Sequence, residues 1–138
     1  MVINMLVQIS IYTENRKGAA REILSILAAK SINILSLVSS DSGEFGTMRL
    51  ITSDADTALE ELSKNHYLCR KDNVIATELE DKPGSLEKFL SHIEKTNIDI
   101  SYMYVGYMRE AKTPVIIMHC EDIEIVEKNL QANGYIVF

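Results

Sequence analysis

The sequence predicts an α+β fold made of two tandem copies of one βαββαβ unit. Three observations carry that reading. Short runs alternate apolar and polar residues at the strand period. Between them, apolar side chains recur at i, i+3, i+4 and i+7, the helix period. The whole pattern then returns at an offset of 66 residues, which places Gly18 over Gly84.

The elements follow in order. Met5, Val7, Ile9 and Ile11 alternate with Asn4, Gln8 and Ser10 and read as a strand. Residues 16–30 carry a helical stripe. Ser31-Ile32-Asn33 turns the chain into a second strand over 33–40. Asp41-Ser42-Gly43 has turn chemistry, and a third strand follows at 46–52. Asp54 is placed to cap a second helix with Ala55, Ala58, Leu59 and Leu62 on its inner face. Tyr67-Leu68-Cys69 closes the first copy as a fourth strand. The second copy reads as strand 73–80, helix 83–95, strands 98–107 and 113–119, helix 121–132 and strand 134–138. Gly134 falls where a left-handed residue ends a helix.

The two copies match in pattern more than in identity. Ala20, Ile23, Leu24 and Leu27 fall on Leu86, Phe89, Leu90 and Ile93, and Ile32-Asn33-Ile34 falls on Ile98-Asp99-Ile100. Further on the offset is 68, and Ala55, Ala58, Leu62 and Tyr67 fall on Ile123, Val126, Leu130 and Tyr135. The implied domains are residues 1–70 and 71–138. Each is a ferredoxin-like split βαβ, an antiparallel sheet with two helices on one face and the other face open. A copy of this size buries its surface only marginally alone. The copies are therefore expected side by side as an eight-stranded sheet, joined through edge strands 33–40 and 99–107.

Composition bounds the function. With 46% hydrophobic and 25% charged residues, the 138-residue chain is globular. Seven cations face eight acids in residues 1–70 and seven face twelve in 71–138, for a net charge of −6. No basic run suits phosphates, so nucleic acid is not an expected partner. No apolar stretch spans a bilayer, and Met1-Val2-Ile3-Asn4 lacks the charged start of a secretion signal. A cytoplasmic location without membrane attachment is the expectation. Cys69 and Cys120 lack metal-type spacing and sit in apolar runs. No cofactor or metal is called for.

One loop stands out. Asp81-Lys82-Pro83-Gly84-Ser85-Leu86 joins the first strand and first helix of the second copy. Asp81 can accept a backbone hydrogen bond near the helix start. Pro83 suits the first helical turn, and Gly84 permits close approach of a backbone or a ligand. The first N–H groups of the helix lack intrahelical partners, so a carboxylate is a natural guest. On physics alone the same residues read more readily as a well-capped helix start with no guest.

That loop, with Ile98-Asp99-Ile100 opening the next strand, resembles an ACT domain. The first copy, with Asn15-Arg16-Lys17-Gly18-Ala19-Ala20 and Ile32-Asn33-Ile34, resembles it more loosely. The resemblance implies a regulatory module that binds a free amino acid between the first loop of one copy and the second strand of the other. It implicates Asn15, Lys17, Gly18 and Ala19 in the first copy and Asp81, Pro83, Gly84, Ser85 and Leu86 in the second. Asn33-Ile34 and Asp99-Ile100 would open the facing strands. Backbone N–H groups would hold the ligand carboxylate, and Asn15, Asp81 or Asp99 would suit its ammonium. The first copy departs from the family pattern, with Lys17 in place of proline and Ala20 in place of leucine. Arg16 and Lys17 either attract a carboxylate or stand in solvent. The second loop is the stronger candidate.

His119-Cys120 reads as a strand-end core pair, and His66 and His92 as solvent-facing. Tyr102, Tyr104 and Tyr107 are either a packed sheet face or an aromatic wall beside a ligand side chain. No nucleophile–base set emerges, so an enzyme is not expected. The reading is a stand-alone amino-acid sensor acting on a metabolic enzyme in a separate chain, with room for a homodimer. The alternatives are a structural module with empty loops and an enzyme on the same scaffold.

Overall fold

The computed structural model describes residues 6–138. The expected strand residues Asn4 and Met5 and the chain start lie outside the described residues. Ten elements follow: β1 (Leu6–Glu14), α1 (Ala19–Ala28), β2 (Ile34–Asp41), β3 (Phe45–Thr52), α2 (Ala55–Lys64), β4 (Leu68–Glu78), α3 (Ser85–Glu94), β5 (Ile100–Gly106), β6 (Val115–Cys120) and α4 (Ile123–Ala132). They fall into two compact units, Val7–Asp72 and Asn73–Phe138, the latter joined by Leu6.

In the first unit the strands run in the order β2-β3-β1-β4. The antiparallel register sets Ile9 against Leu50 and Ile11 against Met48. With Ile23 and Leu27 of α1 and Ala58 and Leu62 of α2, these side chains form one core. In the second unit the order is β4-β6-β5. Ile75 faces Met118, and both pack with Phe89 and Ile93 of α3 and Val126 and Leu130 of α4. Full burial of such a side chain contributes roughly 1.5–3 kcal/mol. The helical stripe is rotated slightly from the expected one. Ala19 is buried, whereas Ala20 and Leu86 are exposed.

The duplication extends to backbone detail. Gly18 and Gly84 take φ of 84° and 86°, and Ser31 and Asn97 both take 57°. The second strand of each unit has a register irregularity at its start, between Ile34 and Ser36 and between Ile100 and Tyr102. Helices α2 and α4 end alike, with His66 and Gly134 left-handed and the N–H groups of Tyr67 and Tyr135 donating to the carbonyls of Leu62 and Leu130. This is the Schellman closure, and it meets the expectation for Gly134.

Two expectations are corrected. The described residues form six strands rather than eight. The expected strands 67–69 and 73–80 are one continuous strand, β4, because no glycine, proline or turn sequence interrupts Arg70-Lys71-Asp72. The expected strand 134–138 is reduced to one bridge, Thr77 with Val137. Nor is the sheet face away from the helices open. Val74, Ala76, Val115 and Ile117 are buried, as are Ile75, Ile116 and Met118 on the opposite face. The unbroken apolar run Val115-Ile116-Ile117-Met118 is the sequence pattern of a strand covered on both faces. In the first unit the corresponding face buries polar groups. Gln8 Nε2 donates to Ser10 Oγ at 3.1 Å, and Ser10 Oγ donates to Asp72 Oδ2 at 2.5 Å.

Two aspartates start helices, and only one caps. Asp54 Oδ1 accepts from the N–H of Thr57 at 3.1 Å, and Oδ2 from the Thr57 hydroxyl at 2.7 Å. Asp122 makes no such bond at the start of α4. Asp54→Ala is expected to cost about 1 kcal/mol. Asp122→Ala should stay within about 0.5 kcal/mol of the parent. Urea denaturation of both variants checks this difference.

Candidate functional site

Each unit passes from its first strand to its first helix through a left-handed glycine, Gly18 or Gly84. No side chain caps either helix. A Cβ added at either glycine would meet nothing within 4 Å. The positive φ, rather than a close approach within the chain, is therefore what calls for glycine there. Asp81 is exposed and does not cap α3, and Pro83 sits one residue before the Gly84 cap rather than inside the first turn. The N–H of Ser85 donates to the Lys82 carbonyl and that of Lys88 to the Gly84 carbonyl. The N–H groups of Leu86 and Glu87, between them, are those a first helical turn leaves without an intrahelical acceptor.

In the second unit this turn opens on a cleft of about 770 Å³. Pro83, Gly84 and Ser85 line one side, and Asn133, Gly134 and Tyr135 at the end of α4 line another. The β5–β6 hairpin closes a third side with Lys112 and Thr113. Glu78 anchors that hairpin, its Oε1 accepting from the N–H groups of Lys112 at 2.6 Å and Thr113 at 3.0 Å. Ser85 Oγ is buried without a hydrogen-bond partner. His92 lies edge-on to Tyr135, with ring centroids 5.6 Å apart, so it belongs to the cleft wall rather than to open solvent.

The charges on the cleft are paired unevenly. Glu80 and Lys82 meet at 2.6 Å. Hydrogen bonding to Lys82, then its charge, and the charge of Lys88 as well, hold the Glu80 carboxyl below its ordinary range. Burial and then the Glu80 charge push the Tyr135 hydroxyl up.

The equivalent turn of the first unit is bordered by side chains that bond to its hairpin and to one another. Asn15 Nδ2 donates to the Gly43 carbonyl at 2.8 Å, and the Asn15 N–H to the Glu44 carbonyl at 2.9 Å. Arg16 donates to Glu22 at 2.8 Å, and the Tyr67 hydroxyl donates to the other oxygen of the same carboxylate. The Tyr67 hydroxyl, then Arg16, holds the Glu22 carboxyl below the usual range. Arg16 therefore already has a carboxylate partner within the chain, at the surface. Lys17 is exposed and Ala19 buried.

Within the second unit the start of the second strand lies at the far end of α3 from the glycine turn. The ten residues of α3 rise roughly 15 Å. At its far end Asp99 and Ile100 line a smaller cleft of about 440 Å³ with Leu90, Tyr102 and Met103. Ile100 also packs on the second core, and Ile34 on the first. The Asn33 N–H donates to Ser53 Oγ at 2.9 Å. Tyr102 stacks on His119 at 5.2 Å, Tyr104 follows it at alternate spacing, and Tyr107 is exposed beyond the strand end. Of the expected residues, then, the structure gathers Pro83, Gly84 and Ser85 in one cleft. It leaves Asp81 and Leu86 outside its lining, and Asp99 and Ile100 in another.

Lys88, His92, Lys112 and Tyr135 were not among the expected site residues. Tyr135 had a sequence signal, its repeat equivalence to Tyr67. Lys88 had one too, since the offset that pairs the glycines also pairs Lys88 with Glu22.

No three His, Cys, Asp or Glu side chains stand together as metal ligands among the described residues, and no described helix is long and apolar enough to cross a membrane. Burial pushes the Cys120 thiol up to about 11, which keeps it protonated and a poor nucleophile. Two outcomes follow. Native protein at pH 8 should leave Cys120 unlabelled by a thiol reagent that labels it after denaturation. Because the folded state lowers the Glu22 pKa, its stabilisation is present above the ordinary carboxylate pKa and is lost as pH falls through the lowered value. Tyr67→Phe should raise that pKa toward the ordinary value, as read by NMR titration of the Glu22 side chain.

A family model described as an ACT domain pair matches residues 4–132. The solved structure of protein BT0572 from Bacteroides thetaiotaomicron is similar at a TM-score of 0.88 and 25% identity, over 97% of this chain and 92% of that one. The regulatory subunit of aspartate kinase from Thermus thermophilus is similar at 0.63 and 18% identity, over 91% and 88%. The corresponding subunit from Thermus flavus is similar at 0.66 and 15%, over the same shares. These last two likenesses concern the fold. No curated protein matches the chain in sequence.

Proposed function

The chain belongs to the ACT-domain family as an ACT domain pair, and from that premise we propose that it is a non-catalytic regulatory protein that binds a free amino acid and acts on a separate partner. The observation that carries this reading is the open cleft at the start of α3, where a left-handed glycine leaves main-chain donors uncapped. The positive end of the helix dipole lies there as well. In this reading the ligand carboxylate accepts hydrogen bonds from the N–H group of Glu87 and from Ser85 Oγ, both on residues that line the cleft. Glu87, on the cleft wall, is an acceptor for the ammonium, in place of Asp81. The first unit's turn, occupied by Asn15, Arg16 and Glu22, is a structural counterpart and takes no ligand.

Regulation then needs only that the ligand prefer one conformation of the protein to another, because differential affinity is what shifts an equilibrium. The names of the two Thermus relatives suggest a class of partner, a metabolic enzyme whose regulatory chain this would be.

A thermal-shift screen against the twenty amino acids tests the proposal. Ligand at about 100 times its dissociation constant should stabilise the protein by about 2.7 kcal/mol. A reproducible shift with one or two amino acids supports the reading. A flat response across the panel, at millimolar concentrations, contradicts it.

A further inference from the structure

The two units carry the same four-residue cluster with one charge exchanged. In the first, Glu14, Arg16, Glu22 and Tyr67 surround the helix start. The repeat offsets place Glu80, Lys82, Lys88 and Tyr135 at those positions in the second. The three ionic groups sum to −1 in the first unit and +1 in the second, because lysine stands where glutamate did. The consequences are visible in the structure. In the first unit the Glu22 carboxylate lies between the Arg16 guanidinium and the Tyr67 hydroxyl. In the second, Glu80 neutralises Lys82 at 2.6 Å. Lys88 feels the Glu80 charge but forms no close ion pair, and Tyr135 has no carboxylate acceptor, among the described residues, and both line the open cleft. Lys112 adds a further cation on its wall, where Glu78 and Glu87 also stand.

We propose that the second unit's cleft holds a side-chain carboxylate of the ligand between Lys88 and the Tyr135 hydroxyl, where the first unit holds its own Glu22 carboxylate, so that the ligand is an acidic amino acid. This rests on the amino-acid reading above and names the class of amino acid. The first unit serves as the template. It demonstrates that this backbone accommodates a carboxylate against the tyrosine at the end of the second helix. The main-chain carboxylate occupies the α3 start, and the side chain reaches along the helix face that carries Lys88 and then His92, one and two turns from Gly84. A neutral amide in the same place would forgo the charge-assisted bonds.

Calorimetric titration of glutamate, aspartate, glutamine, asparagine and glutarate into the full chain tests this, with Lys88→Gln and Lys88→Glu as variants. Lys88 is exposed, so both variants should fold, and their melting temperatures check that they do. One acidic amino acid is expected to bind once per chain, with its amide roughly tenfold weaker or more. Lys88→Gln should weaken it comparably, and Lys88→Glu should abolish it by supplying a carboxylate from within. Equal binding of acid and amide, or binding indifferent to Lys88→Glu, would overturn the inference and leave amino-acid binding standing. Lys88-dependent binding of glutarate with no response to any amino acid would overturn the amino-acid reading and keep the carboxylate contact. Absence of binding by all five compounds would overturn the inference, and the amino-acid reading would then stand or fall on the screen of the twenty amino acids.

Discussion

Gly18 and Gly84 turn strand into helix at φ of 84° and 86°, a conformation that other residues adopt only with strain. The rest of the site depends on that turn. It starts each helix with no side chain over its end, so the first-turn N–H groups point into whatever space the neighbouring loops leave. Ordinary helix starts satisfy these donors with Asp, Ser or Thr, as Asp54 does for α2. The two glycine turns forgo that bond at the same place in both units. Their donors must find partners in a hairpin, a solvent molecule or a ligand.

Duplication makes the consequence readable, because one chain presents the turn twice with different surroundings. The first unit has a short hairpin that reaches Asn15, and a Glu22 carboxylate tied to Arg16 and Tyr67. The second has a longer connection held back by Glu78, and lysine in place of that glutamate. The backbone is kept and the side chains diverge, so one turn is structural and the other faces a cleft. A duplicated fold can specialise in this way at small energetic cost, since exposed charge exchanges alter stability little.

Much of this was legible in the sequence. Helix and strand periods located all four helices and the core, because Ile23, Leu27, Phe89, Ile93, Val126 and Leu130 recur at helical spacing and must face inward. The glycine offset revealed the repeat. The burial of the second sheet face has one sequence signal, the failure of alternation in Val115-Ile116-Ile117-Met118. Strand β4 looks like two strands in the sequence because its centre, Arg70-Lys71-Asp72, is charged, and a charged stretch resembles a loop. Gly84 marks the turn in the sequence, but nothing near it marks the cleft's opposite wall. Tyr135 and Lys112 lie far along the chain, and only tertiary folding brings them to Gly84. The Asp81 cap failed because that expectation assumed an ordinary helix start, whereas the left-handed glycine directs the preceding chain away from the helix end.

The central claim is that the second glycine turn offers its main-chain donors to an amino acid and the first does not. Amide shift mapping by NMR during titration with a responding amino acid tests it most directly. The account predicts saturable shifts concentrated at Gly84, Ser85, Leu86 and Glu87, with Gly18, Ala19, Ala20 and Arg21 unmoved. Shifts centred on the first turn, or spread without regard to either, would contradict it.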